Sequence, residues 1–268
     1  MLQASQRGRM TLLTSPVLEK ETRVRFVFSG RTGGVGTGHF EGLNLSYNVG
    51  DDPSIVRENR SLLAEQLGVP LSRWVLCRQV HGTGVAVVGG LQEGRGATDR
   101  NSGIPRTDGL VTSSCGTAIG VLTADCVPLI IVEPVAPAVA VIHAGWRGML
   151  SGIAAVGVGK LAKRSNGAPG TMYAFVGPHI GPCCMEVGED VASLFAEAFG
   201  DGVLKGTEKS LVDLRAAVGQ QLVGAGLPES HIFDGGLCTA CSQDYFSFRG
   251  DPECGRQISL AWIEEGGS

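Results

Sequence analysis

Residues 118–148 read AIGVLTADCVPLIIVEPVAPAVAVIHAGWRG, and the reading of this stretch decides the fold. It predicts two apolar strands joined by a short turn. A turn centred between Val135 and Ala136 pairs position 126 with 145. His143 then lies two residues from that pair, on the same face as Cys126, because strand side chains alternate. Cys126 interrupts the first strand and His143 ends the second, so a thiol and an imidazole are expected to share one space, roughly 7–8 Å apart at the diagonal position. A slip of one residue would place them on opposite faces.

Working outward, residues 1–20 read as a flexible N-terminal arm, and residues 21–268 as one catalytic domain. A β-rich run over 23–29 predicts a strand, followed by the glycine-rich GRTGGVGTG at 30–38. A phosphate-cradling loop is one reading of those glycines. The Walker lysine and the helix that should follow are missing, so a plain turn is the other, with Arg31 as an anion contact in either case. Asp51-Asp52-Pro53 opens a helix that Gly68 ends, with Ile55, Leu62, Leu63 and Leu67 on one face. Strands are expected over 73–82, ending at His81, and over 84–88. A long polar loop spans 89–107, and a helix starts near Gly152. Further on, YAFV predicts a strand, EDVASLFAEAFG a helix, and Ser210 the cap of a last helix. Hairpins mixed with separate helices favour the α+β class, with mixed, largely antiparallel sheets flanked by helices.

Hydrophobic residues make up 43% of the 268 and charged residues 18%, as in an ordinary globular domain. A net charge of −4 supplies no polybasic surface, so neither nucleic acid nor an anionic membrane is the expected partner. No apolar run approaches the ~18 residues of a membrane span, and residues 1–16 lack the apolar core of a secretory signal, so the cytoplasm is the expected compartment. The eight cysteines are accordingly expected as free thiols.

His81, Cys126 and His143 form a candidate three-ligand site. Two imidazoles and a thiolate suit zinc and leave a fourth position open; copper accepts the same set. Gly82 and Gly145 beside the histidines would let a ligand approach the backbone. Buried, hydrogen-bonded core residues are the plain alternative. A catalytic Cys126–His143 dyad, with Asp125 or another acid orienting the base, is a third reading. Cys238-Thr239-Ala240-Cys241 is an isolated C-x-x-C, and adjacent Cys183 and Cys184 have the wrong spacing for a second pair, so buried thiols are expected there. Arg147 is a candidate anion contact, Asn44 a candidate partner for a sugar or base, and His179 lines a pocket or caps a turn.

Gln79-Val80-His81-Gly82, Thr123-Ala124-Asp125-Cys126 and His143-Ala144-Gly145-Trp146-Arg147-Gly148 resemble the hallmarks of the YfiH family, also called laccase-domain or polyphenol oxidoreductase proteins. The likeness continues in GLNLSYNVGDDPSIVRENR, GPHIGPCCMEVGEDV and FSFRGD, and covers about residues 25–262. Met185, Phe248, Gly250 and His179 depart from the usual pattern. The resemblance implies a YfiH-like fold and a metal, most often zinc, on His81, Cys126 and His143. It implies phosphorolysis of adenosine, inosine and methylthioadenosine, and deamination of adenosine. Older naming of the family implies copper-dependent oxidation of phenols, some members are linked to editing of cell-wall precursors, and a similar fold in deamidating toxins keeps a metal-free Cys–His hydrolase open. On this reading the partners are a purine nucleoside and phosphate held by Arg31, Asn44 and Arg147, and the chain is a monomer or homodimer.

Overall fold

The computed structural model describes residues 2–206 and 210–266; Met1 of the expected arm and residues 207–209, 267 and 268 of the expected domain lie outside the described residues. In chain order the elements are β1 (Gln3–Arg7), β2 (Met10–Thr14), α1 (Pro16–Glu21), β3 (Val24–Ser29), α2 (Pro53–Leu67), β4 (Trp74–Arg78), β5 (Val85–Val87), β6 (Ile104–Pro105), β7 (Gly109–Thr112), β8 (Ala118–Thr123), β9 (Val127–Glu133), β10 (Ala138–Ala144), α3 (Trp146–Leu150), α4 (Ile153–Ser165), β11 (Tyr173–Val176), α5 (Glu189–Phe199), β12 (Leu204–Lys205), β13 (Leu211–Val212), α6 (Leu214–Gly224), β14 (Ile232–Asp234) and β15 (Gln257–Ile263).

Two mixed sheets stack face to face. One runs β1-β2-β3-β15-β8-β4-β6 and the other β14-β11-β9-β10-β7-β5. Antiparallel pairs predominate, with parallel pairs at β4–β8, β4–β6, β5–β7 and β11–β14. β9 and β10 are apolar on both faces because both faces are covered. Ile130, Val132, Val139 and Val141 pack across to Phe26, Phe28, Ile119 and Val121 of the other sheet. Ile131, Ala140 and Ile142 pack the opposite way, onto Val158 and Leu161 of α4 and Val218 and Leu222 of α6. Leu63 and Ala64 of α2 cover the outer face of the seven-stranded sheet. The layers are therefore helix, sheet, sheet and helix, and the expected α+β single domain with mixed sheets is what forms.

The hairpin register is the expected one. His143 pairs with Pro128 and Ala144 with Val127, which continues to Gly145 opposite Cys126. The first strand is nevertheless not one strand. β8 belongs to the seven-stranded sheet and β9 to the six-stranded one, so the chain changes sheet across residues 124–126. Asp125 makes that corner with φ of 82°, a left-handed conformation disfavoured for a residue with a side chain.

The expected arm is mostly structured. β2 joins β3, and Met10, Leu12 and Leu13 are buried beneath it. Only five residues carry that pattern, too few to distinguish from a polar tail until β3 supplies the pairing edge. The strand expected over 73–82 stops at Arg78. α2 has its expected start and stop, with Asp52 capping Ser54 N–H and Gly68 left-handed at the end. Its buried face is instead Val56, Asn59, Arg60, Leu63 and Ala64. The helix expected near Gly152 is α4, with Gly152 as its N-cap; the short α3 precedes it, and the last helix is capped by Asp213 rather than Ser210. The glycine-rich loop is a plain turn. Gly36 and Gly42 exchange backbone hydrogen bonds, Val35 N–H donates to Asn59, and a Cβ on Gly36 would meet Phe40 O at 2.2 Å, so the loop closes on its own return segment.

Arg60 is the polar pin of this layer. Its buried guanidinium donates to the carbonyls of Leu45, Gly96 and Ala97 at 2.6–2.8 Å and lies 4.5 Å over the Tyr47 ring. Burial pulls its pKa down to about 10. Replacing it leaves three carbonyls without their donors. Arg60→Met is expected to destabilise the protein by roughly 3 kcal/mol, about 1 per stranded carbonyl. Urea unfolding with an unchanged denaturant slope would check this.

Candidate metal centre and pocket

Even-numbered residues of β9 and odd-numbered residues of β10 face the inter-sheet core. The same alternation aims Cys126 and His143 into the end of that core, where the sheets part. His81 arrives from beyond β4 on a backbone with φ of 58°. Ligand atoms of His81, Cys126 and His143 all lie within 4.8 Å of one another, so the three residues predicted to converge do so. The two imidazole rings are 4.7 Å apart at 85°, edge to face. Gly145 leaves room for the cluster itself, since a Cβ there would meet His81 Cδ2 at 2.8 Å and Cys126 Sγ at 3.4 Å.

Asp108 organises the cluster, although nothing in its sequence context gave it a role. Its carboxylate is fully buried. It accepts the backbone N–H of Val80, His81 and Gly82 at 2.8–3.2 Å, and His143 Nδ1–H at 2.9 Å. One side chain therefore holds the turn that carries one histidine and the ring of the other. With Nδ1 engaged, His143 offers Nε2 as its ligand atom. Of the two options left open for an orienter, Asp125 or another acid, the structure has the second: Asp125 points elsewhere, its two oxygens accepting Thr239 Oγ1–H and Arg249 N–H. No local motif marks Asp108, which stands 27 residues from His81 and 35 from His143.

The electrostatics suit a thiolate. Burial opposes charge on Cys126, but the His143 cation and hydrogen bonds from His143 and His81 outweigh it and bring the thiol down to about 6. Burial likewise opposes charge on His143, yet the Cys126 thiolate and the Asp108 hydrogen bond push it up to about 9. Burial would raise Asp108, but His143 and the backbone N–H groups hold it below the usual carboxylate value. Two imidazoles, one of them braced by a carboxylate, and an ionised sulfur fit a borderline-soft cation such as zinc or copper. Cys126, His143 and Asp108 also have the order of a nucleophile, base and orienter.

The cluster opens into a cavity of about 620 Å³, within the range that holds small ligands. Leu122, Trp146, Ile180, Met185, Val187 and Phe248 give it apolar walls, and Arg147, Arg249 and Arg256 give it cations. The Arg147 guanidinium lies 4.1 Å over the Trp146 ring and makes no hydrogen bond to a described residue. Arg249 is committed to the carbonyls of Cys184 and Glu186. The other expected substrate contacts are placed otherwise. Asn44 is fully buried, and its amide is bonded to Ser46, Asp51 and the Arg256 backbone. Arg31 donates to Glu41 O and stacks on Phe246, outside the cavity lining. At the start of α4, Ala154 N–H donates to Gln221 Oε1. His179 caps a turn through Gly177 O.

Asp108→Asn keeps the shape but turns an amide toward donors. Metal affinity is expected to fall about 10- to 100-fold, read by chelator competition. In metal-free protein, alkylation of Cys126 is expected to persist as pH falls and to be lost only near pH 6, whereas an ordinary thiol slows below about 8.5. Mass spectrometry of the Cys126 peptide across pH would check this.

Residues 25–264 match the family described as multi-copper polyphenol oxidoreductase laccase. Purine nucleoside phosphorylase YlmD of Geobacillus stearothermophilus is 41% identical over 225 residues, 82% of each chain. Adenosine deaminase RL5, from an unknown prokaryote, is 38% identical over 220 residues, 80% of this chain and 84% of its own. The crystal structure of YlmD from Geobacillus stearothermophilus superposes with a TM-score of 0.91 at 35% identity, over 98% of this chain and 99% of that one. With motifs, register and ligand cluster all in agreement, the chain belongs to this laccase-domain family, the YfiH family expected from its sequence.

Proposed function

We propose that the protein is a zinc-dependent purine nucleoside phosphorylase of broad specificity, acting on adenosine, inosine and methylthioadenosine, with adenosine deaminase as a second activity. The observation that carries the reading is the Asp108-braced His81/Cys126/His143 cluster opening into a cavity with apolar walls and an uncommitted arginine. Relatives named purine nucleoside phosphorylase and adenosine deaminase support the choice of substrate. In phosphorolysis the bond from ribose C1′ to the base breaks and a bond from C1′ to a phosphate oxygen forms.

His81, Cys126 and His143 would hold the metal, which supplies a Lewis acid with an open coordination position. Asp108 keeps the His143 Nδ1 proton in place, so the ring stays fixed while Nε2 faces the ligand. Trp146, Phe248 and Leu122 offer apolar surface to a purine and exclude water from it. Arg147, held against Trp146, presents its guanidinium fork to phosphate, whose oxygens match that geometry.

Incubating metal-loaded protein with inosine and phosphate is expected to release hypoxanthine and ribose 1-phosphate, and adenosine to release ammonia in parallel. His81→Ala is expected to lower both activities by about 100-fold or more, the scale of a lost Lewis acid. Absence of hypoxanthine release from fully loaded protein would overturn the proposal.

A second reading follows from the Cys126–His143–Asp108 order, that of a thiol hydrolase. It needs no His81. Turnover that survives strong chelators and the His81→Ala change, but stops on alkylation of Cys126, would favour it. Copper-dependent phenol oxidation, the activity in the family's description, would instead show as phenol turnover by copper-loaded protein only.

A further inference from the structure

The four cysteines expected to be separate buried thiols are neither separate nor fully buried. Cys183 and Cys184 sit on the Gly-Pro turn after β11, and Cys238 and Cys241 on the irregular segment after β14. Their sulfurs all lie within 4.8 Å of one another. Cys184 and Cys241 are 3.4 Å apart and Cys183 and Cys241 3.6 Å. Sulfurs held at ~2.3 Å around a tetrahedral ion are about 3.8 Å apart, close to these separations. Gly181 N–H donates to Cys238 Sγ at 3.2 Å, the kind of contact that stabilises a thiolate ligand.

From this arrangement we propose a second metal centre, a structural zinc site with four thiolate ligands, formed by Cys183, Cys184, Cys238 and Cys241. Four sulfur ligands close the coordination shell, so the site has no open position for a substrate. The cysteines bind as thiolates: as four Zn–S bonds form, the thiol protons leave to solvent, and the centre carries a net charge of about −2.

The position gives the site a task. The two segments it joins form part of the cavity wall and have little backbone pairing of their own. His179 N–H donates to Leu237 O, and Thr239 N–H returns to His179 O. Thr239, between the two cysteines of the C-x-x-C, donates to Asp125 at 2.6 Å, next to Cys126. Arg249 of the cavity donates to Cys184 O and, through its backbone, to Asp125. Cross-linking the segments fixes Ile180, Met185 and Arg249 in the wall, and fixes the corner that presents Cys126. The second metal thus acts as a positioning element for the first site.

The test counts metal and does not depend on activity. Untagged protein purified under reducing, chelator-free conditions is expected to carry about two equivalents of zinc. His81→Ala/His143→Ala removes the first site and is expected to keep about one. Cobalt in that variant should show the visible and thiolate charge-transfer bands of a tetrahedral sulfur site. Cys238→Ser/Cys241→Ser is expected to lose about one equivalent relative to wild type. The proposal is overturned if the histidine variant binds no metal, if the serine variant keeps the wild-type count, or if anaerobically isolated protein holds a disulfide among the four. Should the serine variant fail to fold, the histidine variant still decides, because its cysteines are intact.

Discussion

A carboxylate with no access to water must be surrounded by donors, and Asp108 meets four of them. That requirement fixes the centre of the molecule. Three donors are consecutive backbone N–H groups, so the chain at Val80–Gly82 has to curl around the oxygens, and His81 is carried into a left-handed conformation. The fourth is the His143 ring. Truncating such a carboxylate would leave both the turn and the imidazole unpaired in the interior, each at a cost of about 1–3 kcal/mol. The ligand cluster is therefore a consequence of how one buried charge is satisfied.

The rest of the architecture delivers the other partners to that point. The sheet-on-sheet core ends where β8 leaves one sheet and β9 begins in the other, and the corner places Cys126 beside the two histidines. Asp125 offsets its own strained backbone by accepting from Thr239 and Arg249, two groups on the segments that form the far wall. The His81/Cys126/His143 cluster, the corner and the wall are linked by hydrogen bonds of 2.6–2.9 Å, so motion of the cysteine-bearing loops would be felt at that cluster through few intermediates.

Much of this was legible in the residues. Alternation in β9 and β10 set the register, and the register set Cys126 and His143 on one face. Asp52, Pro53 and Gly68 marked α2 at both ends. Gly145 stood where a side chain would strike the ligands. Other features left no local trace. Asp108 is one aspartate among many until β7 brings it under the 80–82 turn. Arg60 and Asn59 interrupt an expected apolar face because that face of α2 meets loop carbonyls and N–H groups as well as apolar side chains. Asn44 looked available in a loop, but the loop folds over it.

The sequence by itself determined periodicity, turn positions and the shared face of Cys126 and His143, because each depends on residues within one hairpin or one helix and on the fixed repeat of a strand or helix. Only the tertiary structure decided that one apolar run serves two sheets, that β2 joins the core, that Asp108 rather than Asp125 orients His143, and that four scattered cysteines meet. Those outcomes rest on contacts between residues tens to more than a hundred positions apart, and a one-dimensional pattern records which face a side chain occupies but not what lies across from it.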